Sequence, residues 1–227
     1  MKEKNYLETI YNVEDKPITN YPNKLIIYLI KRFKLEKNQK ILELGCGRGD
    51  FLNAFVNNGL DGYGVDLFDY CKNFFPNLNF KKVDMVNEKL PYEDNSFDVI
   101  FSKSIIEHFY YPEKVFEEAY RVLKPGGTII TLTPEWQYIY ESFYEDFTHR
   151  TPFTSVSLGD IQEMSGFKDI KVESFKQLPI IFENNSFSKI FSFFSFLTRI
   201  LVPEKLRMKN KWIRFSKEIM LLSVSRK

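Results

Sequence analysis

The sequence predicts an α/β fold of three layers, with a seven-stranded, mostly parallel sheet and an antiparallel hairpin at one edge. From residue 24 to about residue 133, apolar segments that end in turn signals alternate with segments of helical periodicity, which is typical of β-α units on a parallel sheet. Hydrophobic residues make up 44% of the 227 residues, which is enough for a sizeable core. We therefore expect one domain over residues 1–227.

The first half of the chain contains five short apolar segments that we predict to be parallel strands. They cover Lys40–Leu44, Gly62–Val65, Asn79–Val83, Phe97–Phe101 and Thr128–Leu132. Helical spacing of apolar residues predicts helices between them, and these cover Lys24–Phe33, the segment after Gly49, and Pro112–Leu123. The run Lys124-Pro125-Gly126-Gly127 is a stop signal for the last of these helices.

The pattern changes after Pro134, where an aromatic loop is followed by a predicted helix from Ser155 to Ser165. Lys168–Phe175 and Glu218–Ser225 alternate in the way that strands do, so we expect them to pair antiparallel at one edge of the sheet. The roughly 40 residues between them exceed ordinary loop length. They predict a helical insertion at about residues 178–216.

Composition excludes several classes of protein. Lys and Arg number 32 against 30 Asp and Glu, so the large positive excess of a dedicated DNA-binding protein is missing. Two cysteines and two histidines are too few for a disulfide scaffold or a structural zinc site, and we expect no metal. The amino terminus lacks the apolar core of a secretory signal, and no apolar stretch reaches the ~20 residues of a membrane span. We expect a cytoplasmic protein.

Three glycines directly after the first strand predict a sharp turn that approaches a ligand at a helix amino terminus. They are Gly45, Gly47 and Gly49. In a dinucleotide-binding turn the third glycine would come one residue later. Glu43 and Asp50 flank the turn without a lysine to offset them, so they would repel a pyrophosphate. The turn is better matched to a cationic ligand.

Two further carboxylates follow the next two strands. Asp66 ends the second strand, where a carboxylate accepts hydrogen bonds from ribose hydroxyls, and Asp84 follows the third, with Met85 beside it. Together with the turn, these positions describe a nucleoside that is positively charged at its 5′ end. The alternative is that Asp66 and Asp84 only cap the segments that follow them.

Six segments in this order resemble the S-adenosylmethionine-dependent methyltransferases with a class I Rossmann-like sheet. They are Ile41–Gly49, Gly64–Asp66, Val83–Met85, Leu90–Ile100, Ile106–His108 and Arg121–Gly127. The resemblance implies that residues 38–133 bind S-adenosylmethionine and residues 134–227 the substrate. It implies ten cofactor-binding residues, namely Glu43, Gly45, Cys46, Gly47, Gly49, Asp66, Leu67, Asp84, Met85 and Ser102.

Methyl transfer to a hydroxyl needs a general base, and the chain offers His108 and His149. His108 follows the fourth strand and His149 follows the fifth, so both are candidates for a base or an acceptor anchor. The alternative is that His108 packs a helix start and His149 is solvated. Asp146 is positioned to orient His149.

The acceptor is predicted less directly. The segment from Thr148 to Phe167 is similar to small bacterial methyltransferases, which favours a sugar hydroxyl or another small metabolite. An RNA acceptor stays open, because aromatic residues and a basic tail suit RNA.

The Phe-rich and basic stretch at 187–217 has three interpretations. It is a helix that packs Phe inward, a lid over a lipid-linked acceptor, or a peripheral membrane contact. The oligomeric state is not predicted.

Overall fold

A computed structural model of the protein describes residues 17–183 and 186–227. Within these ranges the strands are β1 (Lys40–Leu44), β2 (Asp61–Asp66), β3 (Asn79–Lys82), β4 (Phe97–Lys103), β5 (Leu123–Pro134), β6 (Lys168–Phe175) and β7 (Met220–Arg226). The helices are α1 (Tyr21–Phe33), α2 (Asp50–Asn57), α3 (Pro112–Val122), α4 (Trp136–Ile139), α5 (Ser155–Met164), α6 (Pro179–Phe182), α7 (Ser188–Leu201) and α8 (Lys211–Lys217). Short 3-10 turns cover Tyr70–Asn73, Ile106–His108, Phe143–Glu145 and Glu204–Lys209.

In the described residues, the strands form one seven-stranded sheet in the order β3-β2-β1-β4-β5-β7-β6. The strands β1 to β5 are parallel to one another, while β7 is antiparallel to both of its neighbours, β5 and β6. This confirms the predicted fold class, including the antiparallel pair. Because β1 to β5 run in one direction, the turns that follow them meet at one edge of the sheet, where such folds bind ligands.

Alternating side chains of the central strands pack into two separate cores, and this produces the three layers. Leu42 and Ile100 belong to the core beneath α3 and α5, whereas their neighbours Ile41 and Val99 belong to the core beneath α1 and α2. Successive side chains of a strand point to opposite faces. A parallel sheet covered on both faces is therefore apolar at nearly every position.

Most element boundaries agree with the sequence prediction, and the largest difference is at β5. The strand begins at Leu123 rather than Thr128, because the chain becomes extended as soon as α3 ends and Leu123 pairs with Phe97 before a shift in register. The Pro-Gly-Gly stop signal thus lies inside the strand. Gly126 takes a positive φ of 77° there and donates its N–H to Lys227 O.

The predicted insertion at 178–216 is helical, as α6, α7 and α8 show. Within residues 17–183 and 186–227, none of the helices has both the length and the apolar content that a membrane span requires. The amino-terminal segment, whose sequence predicts no secretory signal, lies outside the described residues.

Candidate active site

The glycine turn after β1 has the backbone conformation that its sequence predicts. Gly45, Gly47 and Gly49 have φ values of 68°, 51° and 89°, which side chains with a Cβ rarely adopt. The N–H groups of Gly45 and Cys46 donate to Val65 O at 2.9 and 3.1 Å, which ties the turn to the end of β2. A Cβ on Gly45 would lie 2.5 Å from Ile105 Cγ1, whereas one on Gly47 would meet no atom within 4 Å. Gly45 is therefore packed, and Gly47 faces open space.

Two carboxylates lie beneath and beside this turn. Glu43 is 2% exposed, and its Oε2 is buried without a hydrogen-bond partner in the described part of the chain. Burial, followed by the charges of Asp50 and Asp66, raises the pKa of Glu43 well above its ordinary value. Asp66 accepts N–H groups from Gly47 at 2.8 Å and Phe68 at 3.0 Å, and burial raises its pKa. The turn is thus lined by buried acidic groups.

The charge of Asp50 is offset in the structure, contrary to the sequence argument. Arg48 Nη2 lies 2.7 Å from Asp50 Oδ2, and both side chains are largely buried. Although the turn contains no lysine, the residue between Gly47 and Gly49 is this arginine. Repulsion of a pyrophosphate at the turn therefore depends on Glu43 and Asp66.

The remaining predicted cofactor residues lie at the same edge of the sheet with different exposure. Cys46 and Met85 are buried, Ser102 is buried with an unpartnered Oγ among the described residues, and Leu67 is 46% exposed. Asp84 accepts from Val86 N at 3.0 Å and from Asn87 Nδ2 at 2.9 Å, and the Asn87 bond is the main reason that its pKa is lowered. Within the chain, Asp84 therefore makes the local contacts expected of a residue that caps the segment after it.

A polar cavity of about 380 Å³ opens beside the turn, at the carboxyl ends of β4 and β5. Its lining includes Arg48 and Asp50 from the turn, both histidines and Lys103. A second cavity, of about 620 Å³, lies near the amino-terminal end of β6 and the carboxyl-terminal end of α1. Ligands of open α/β sheets bind at the carboxyl ends of the strands, so the smaller cavity is the candidate acceptor site.

Both predicted catalytic histidines line this cavity and contact each other. The ring centroids of His108 and His149 are 4.8 Å apart. His149 Nδ1 lies 2.6 Å from Phe143 O, and because a carbonyl only accepts, Nδ1 carries the proton. The basic lone pair of His149 is therefore on Nε2.

The tautomer of His108 is fixed through a threonine. Thr148 Oγ1 donates to Asp146 Oδ1 at 2.6 Å, because an ionised carboxylate only accepts. The threonine oxygen must then accept from His108 Nδ1, 2.8 Å away, which leaves the lone pair of His108 on Nε2. The side chain of Asp146 thus acts through Thr148 on His108, and not directly on His149 as the sequence prediction had it.

Two charged residues of the cavity were not predicted as functional. Burial lowers the pKa of Lys103 to about 8 and raises the pKa of Glu107 to about 7. Burial and the neighbouring His149 lower the pKa of His108 to about 4, so this imidazole is neutral at pH 7. Two signals in the sequence mark these positions: Glu107 lies in the segment Ile106–His108 that resembles the family, and Lys103 ends β4.

Comparison with known proteins identifies the family. A sequence profile described as a methyltransferase domain matches residues 42–131, the part that contains the glycine turn, Asp66, Asp84 and Glu107. Residues 42–131 thus match a methyltransferase domain, and the fold of the chain is that of S-adenosylmethionine-dependent methyltransferases of class I. The sequence prediction of this family, of an enzyme and of its cofactor is thereby confirmed.

Similar proteins support this fold over most of the chain. A SAM dependent methyltransferase from Archaeoglobus fulgidus superposes with a TM-score of 0.67 at 22% identity, over 96% of this chain and 100% of that one. An uncharacterized protein of Methanocaldococcus jannaschii is 29% identical over 79% of this chain and 75% of its own. Phosphoethanolamine N-methyltransferase 3 of Arabidopsis thaliana is 33% identical over 42% of this chain but only 21% of its own length.

The residues of this methyltransferase fit S-adenosylmethionine chemically. The open space at Gly47 admits a ligand close to the backbone, and the unpartnered Oε2 of Glu43 and Oγ of Ser102 lie buried at the same strand ends. Asp66 Oδ2 accepts the N–H of Gly47 and Oδ1 that of Phe68. A carboxylate offers about four lone-pair sites, so Asp66 can still accept from a ribose hydroxyl. The acidic groups at this turn suit a ligand that carries a sulfonium and an ammonium group, because opposite charges attract.

Proposed function

We propose that this methyltransferase transfers the methyl group to a hydroxyl of a small polar acceptor, a sugar or a related metabolite. The observation that carries the proposal is the polar cavity, in which two histidines present Nε2 lone pairs beside the cofactor turn. A polyhydroxylated acceptor matches a cavity that is lined by histidine, lysine and carboxylate groups, because each can exchange hydrogen bonds with it.

Bound S-adenosylmethionine would supply a methyl group already activated by its positive sulfur. The residues of the chain then have to position the acceptor and exclude water. His149 Nε2 would accept the proton of the acceptor hydroxyl, while the bound cofactor would supply the methyl group. His108 stays neutral at pH 7 because burial depresses its pKa, so it can accept a second acceptor hydroxyl.

Turnover with a panel of sugars and nucleotide sugars tests the proposal, with S-adenosylhomocysteine as the measured product. We expect His149→Ala to lower kcat by about 100-fold, the contribution of a general base. His108→Ala should lower kcat/KM by about 10-fold, through the loss of one hydrogen bond to the acceptor. Glu141→Gln is the control, because Glu141 is an exposed carboxylate of the same segment and is not among the residues that line the cavity. Full kcat/KM in both histidine variants on the true acceptor would contradict the role of the pair.

The RNA alternative draws little support from the basic tail. Arg207 contacts Glu145, Glu204 and Glu218 through three of its nitrogens, and Lys217 Nζ lies 3.2 Å from Glu204. These cations neutralise carboxylates of the chain and are largely buried. The positive charge available to phosphates is correspondingly smaller than the sequence suggests.

A lipid-linked acceptor is a second candidate, because large apolar side chains of α7 face solvent. The helix buries Ser188 and Ser195 and exposes large apolar side chains. These exposed residues are Ile190, Phe193, Phe194, Phe196, Ile200 and Leu201. Lys205, Lys209 and Lys211 follow them and are exposed. An apolar face next to cations suits the surface of an anionic membrane.

Sedimentation with vesicles of phosphatidylcholine and phosphatidylglycerol tests this second candidate. We expect the wild type to bind, and the Phe193→Ser, Phe194→Ser double variant to lose most of that binding. Val156→Ser with Met164→Ser is the matched control, because both residues are exposed apolar side chains on α5. Equal sedimentation of all three proteins, or none with the wild type at low salt, would contradict a membrane contact.

A further inference from the structure

We propose that Glu107, His108 and His149 bind one divalent transition-metal cation in the wall of the acceptor cavity. Each residue offers one ligand atom, and the three atoms lie within 4.8 Å of one another. Ligand atoms about 2.1 Å from a tetrahedral cation stand about 3.4 Å apart. Small side-chain rotations are therefore enough to close the three groups on an ion.

The buried carboxylate is the independent sign that a ligand belongs here. Glu107 Oε2 accepts from Thr133 Oγ1 at 3.0 Å, whereas Oε1 is buried and has no hydrogen-bond partner among the described residues. An unpartnered buried carboxylate oxygen costs free energy unless something satisfies it. A cation bound to Oε1 removes that cost.

The two imidazoles are oriented in the way that metal ligands require. Ligating histidines donate one ring N–H to an oxygen and bind the ion through the other nitrogen. His149 donates Nδ1–H to Phe143 O, and His108 donates Nδ1–H to Thr148 Oγ1. Both rings thus carry the lone pair on Nε2, and the Asp146–Thr148 hydrogen bond supports this arrangement from behind.

The backbone holds the two ligand-bearing segments together. Glu107 O accepts the N–H groups of Arg150 at 2.8 Å and Thr151 at 3.0 Å. These bonds join the turn that contains Glu107 and His108 to the loop that contains His149. The site is therefore preorganised by contacts that do not involve the ligand atoms.

The donor set selects the kind of ion. Two imidazole nitrogens and one carboxylate favour Zn²⁺, Co²⁺, Ni²⁺ or Fe²⁺ over Mg²⁺ and Ca²⁺, which prefer oxygen ligands. Three protein ligands leave a position open toward the cavity. If the proposed acceptor class is correct, that position would anchor an acceptor oxygen. The ion would then occupy the two Nε2 lone pairs that the ion-free enzyme offers to the acceptor hydroxyls.

Titration of the chelator-treated full chain with Co²⁺ and Zn²⁺ alone tests the site without any acceptor. We expect one equivalent to bind, with visible Co²⁺ absorption bands of nitrogen and oxygen ligation and a calorimetric signal for Zn²⁺. Glu107→Gln and His149→Ala should weaken binding by more than about 100-fold, and Thr148→Val by about 10-fold, because it removes a supporting hydrogen bond. Glu145→Gln should bind like the wild type.

Three outcomes would overturn the site. They are no binding by the wild type, unchanged binding by Glu107→Gln and His149→Ala, or thiolate bands that assign the ion to Cys46 and Cys71. Thermal unfolding in chelator shows whether a variant is folded, and Glu107→Asp, which keeps the carboxylate, gives a second variant if Glu107→Gln is not. Binding without S-adenosylhomocysteine formation would sustain the metal site and contradict only the proposed acceptor.

Discussion

At the scale of single residues, two glycines of the cofactor turn have different surroundings. Gly45 and Gly47 are two positions apart and both have positive φ. A Cβ at Gly45 would collide with Ile105, whereas a Cβ at Gly47 would project into open space, where we expect the cofactor to bind. The two glycines therefore have different reasons to be glycine.

Gly45→Ala and Gly47→Ala should differ in thermal unfolding. We expect Gly45→Ala to lower the free energy of unfolding by about 3 kcal/mol, through overpacking and a strained φ. Gly47→Ala should cost about 1 kcal/mol, from φ alone, while still weakening S-adenosylhomocysteine binding in calorimetry. Equal destabilisation by the two changes would contradict this assignment.

Asp66→Asn should weaken S-adenosylhomocysteine binding by about 10- to 100-fold. The amide loses the charge that strengthens hydrogen bonds from hydroxyl groups, and its NH₂ group cannot accept the N–H groups of Gly47 or Phe68. Isothermal titration calorimetry measures the change. Asp61→Asn, at the amino-terminal end of the same strand, is the matched control and should bind normally.

At the scale of elements, α5 begins at a capping pair that residues close together in sequence form. Thr154 accepts the N–H of Ser157 at 3.2 Å, and Ser157 Oγ accepts the N–H of Thr154 at 2.9 Å. This reciprocal pair satisfies two N–H groups that the first turn of a helix leaves open. The helix therefore begins where its sequence predicts.

Thr154→Ala should lower the free energy of unfolding by about 1 kcal/mol, because the N-cap oxygen is lost. Urea denaturation followed by circular dichroism measures the change. Ser155→Ala, one residue further on, should be neutral or slightly stabilising, since alanine is the better helix former. A loss in the second variant as large as in the first would exclude the capping explanation.

At the scale of the whole molecule, hydrogen bonds from charged side chains connect segments that are distant in sequence. Arg121 on α3 contacts Glu118 on the same helix at 2.8 Å and donates to Leu90 O and Tyr92 O at 2.9 Å. Glu118 also accepts the N–H of Leu90 at 2.8 Å. The loop before β4 is thus attached to α3 through one carboxylate and one guanidinium.

The stability of the protein should fall in acid partly through Glu118. Arg121 and the Leu90 N–H hold the pKa of Glu118 below its ordinary value of 4.5 in the folded chain. A lowered folded pKa stabilises the protein above the unfolded pKa, and this stabilisation is lost as pH falls through the folded pKa.

Glu118→Gln should therefore cost about 1 kcal/mol near pH 7, after allowance for solvent screening. It should also flatten the loss of stability between about pH 5 and pH 3. Chemical denaturation at several pH values checks both effects. Glu117→Gln, on the exposed side of α3, is the control and should leave the pH profile unchanged.

The sequence was a good guide where neighbouring residues decide the outcome and a poor one where distant loops meet. It predicted the glycine turn, the strand ends and the helical insertion, because spacing and turn residues act locally. It left open whether Phe193 and Phe194 face solvent, as they do in the structure, since either face of an amphipathic helix can be buried. It also did not join Glu107 to His149, because their contact depends on a backbone link between two loops.

The sequence by itself determined the sheet, its cofactor turn and the family, because each is written in residues close together along the chain. Only the tertiary structure decided that Asp146 supports His108 through Thr148, that Arg48 offsets Asp50 and that a carboxylate converges with two imidazoles. These arrangements depend on how the loops after β4 and β5 fold toward each other, and side-chain hydrogen bonds between such loops have no periodicity in the sequence.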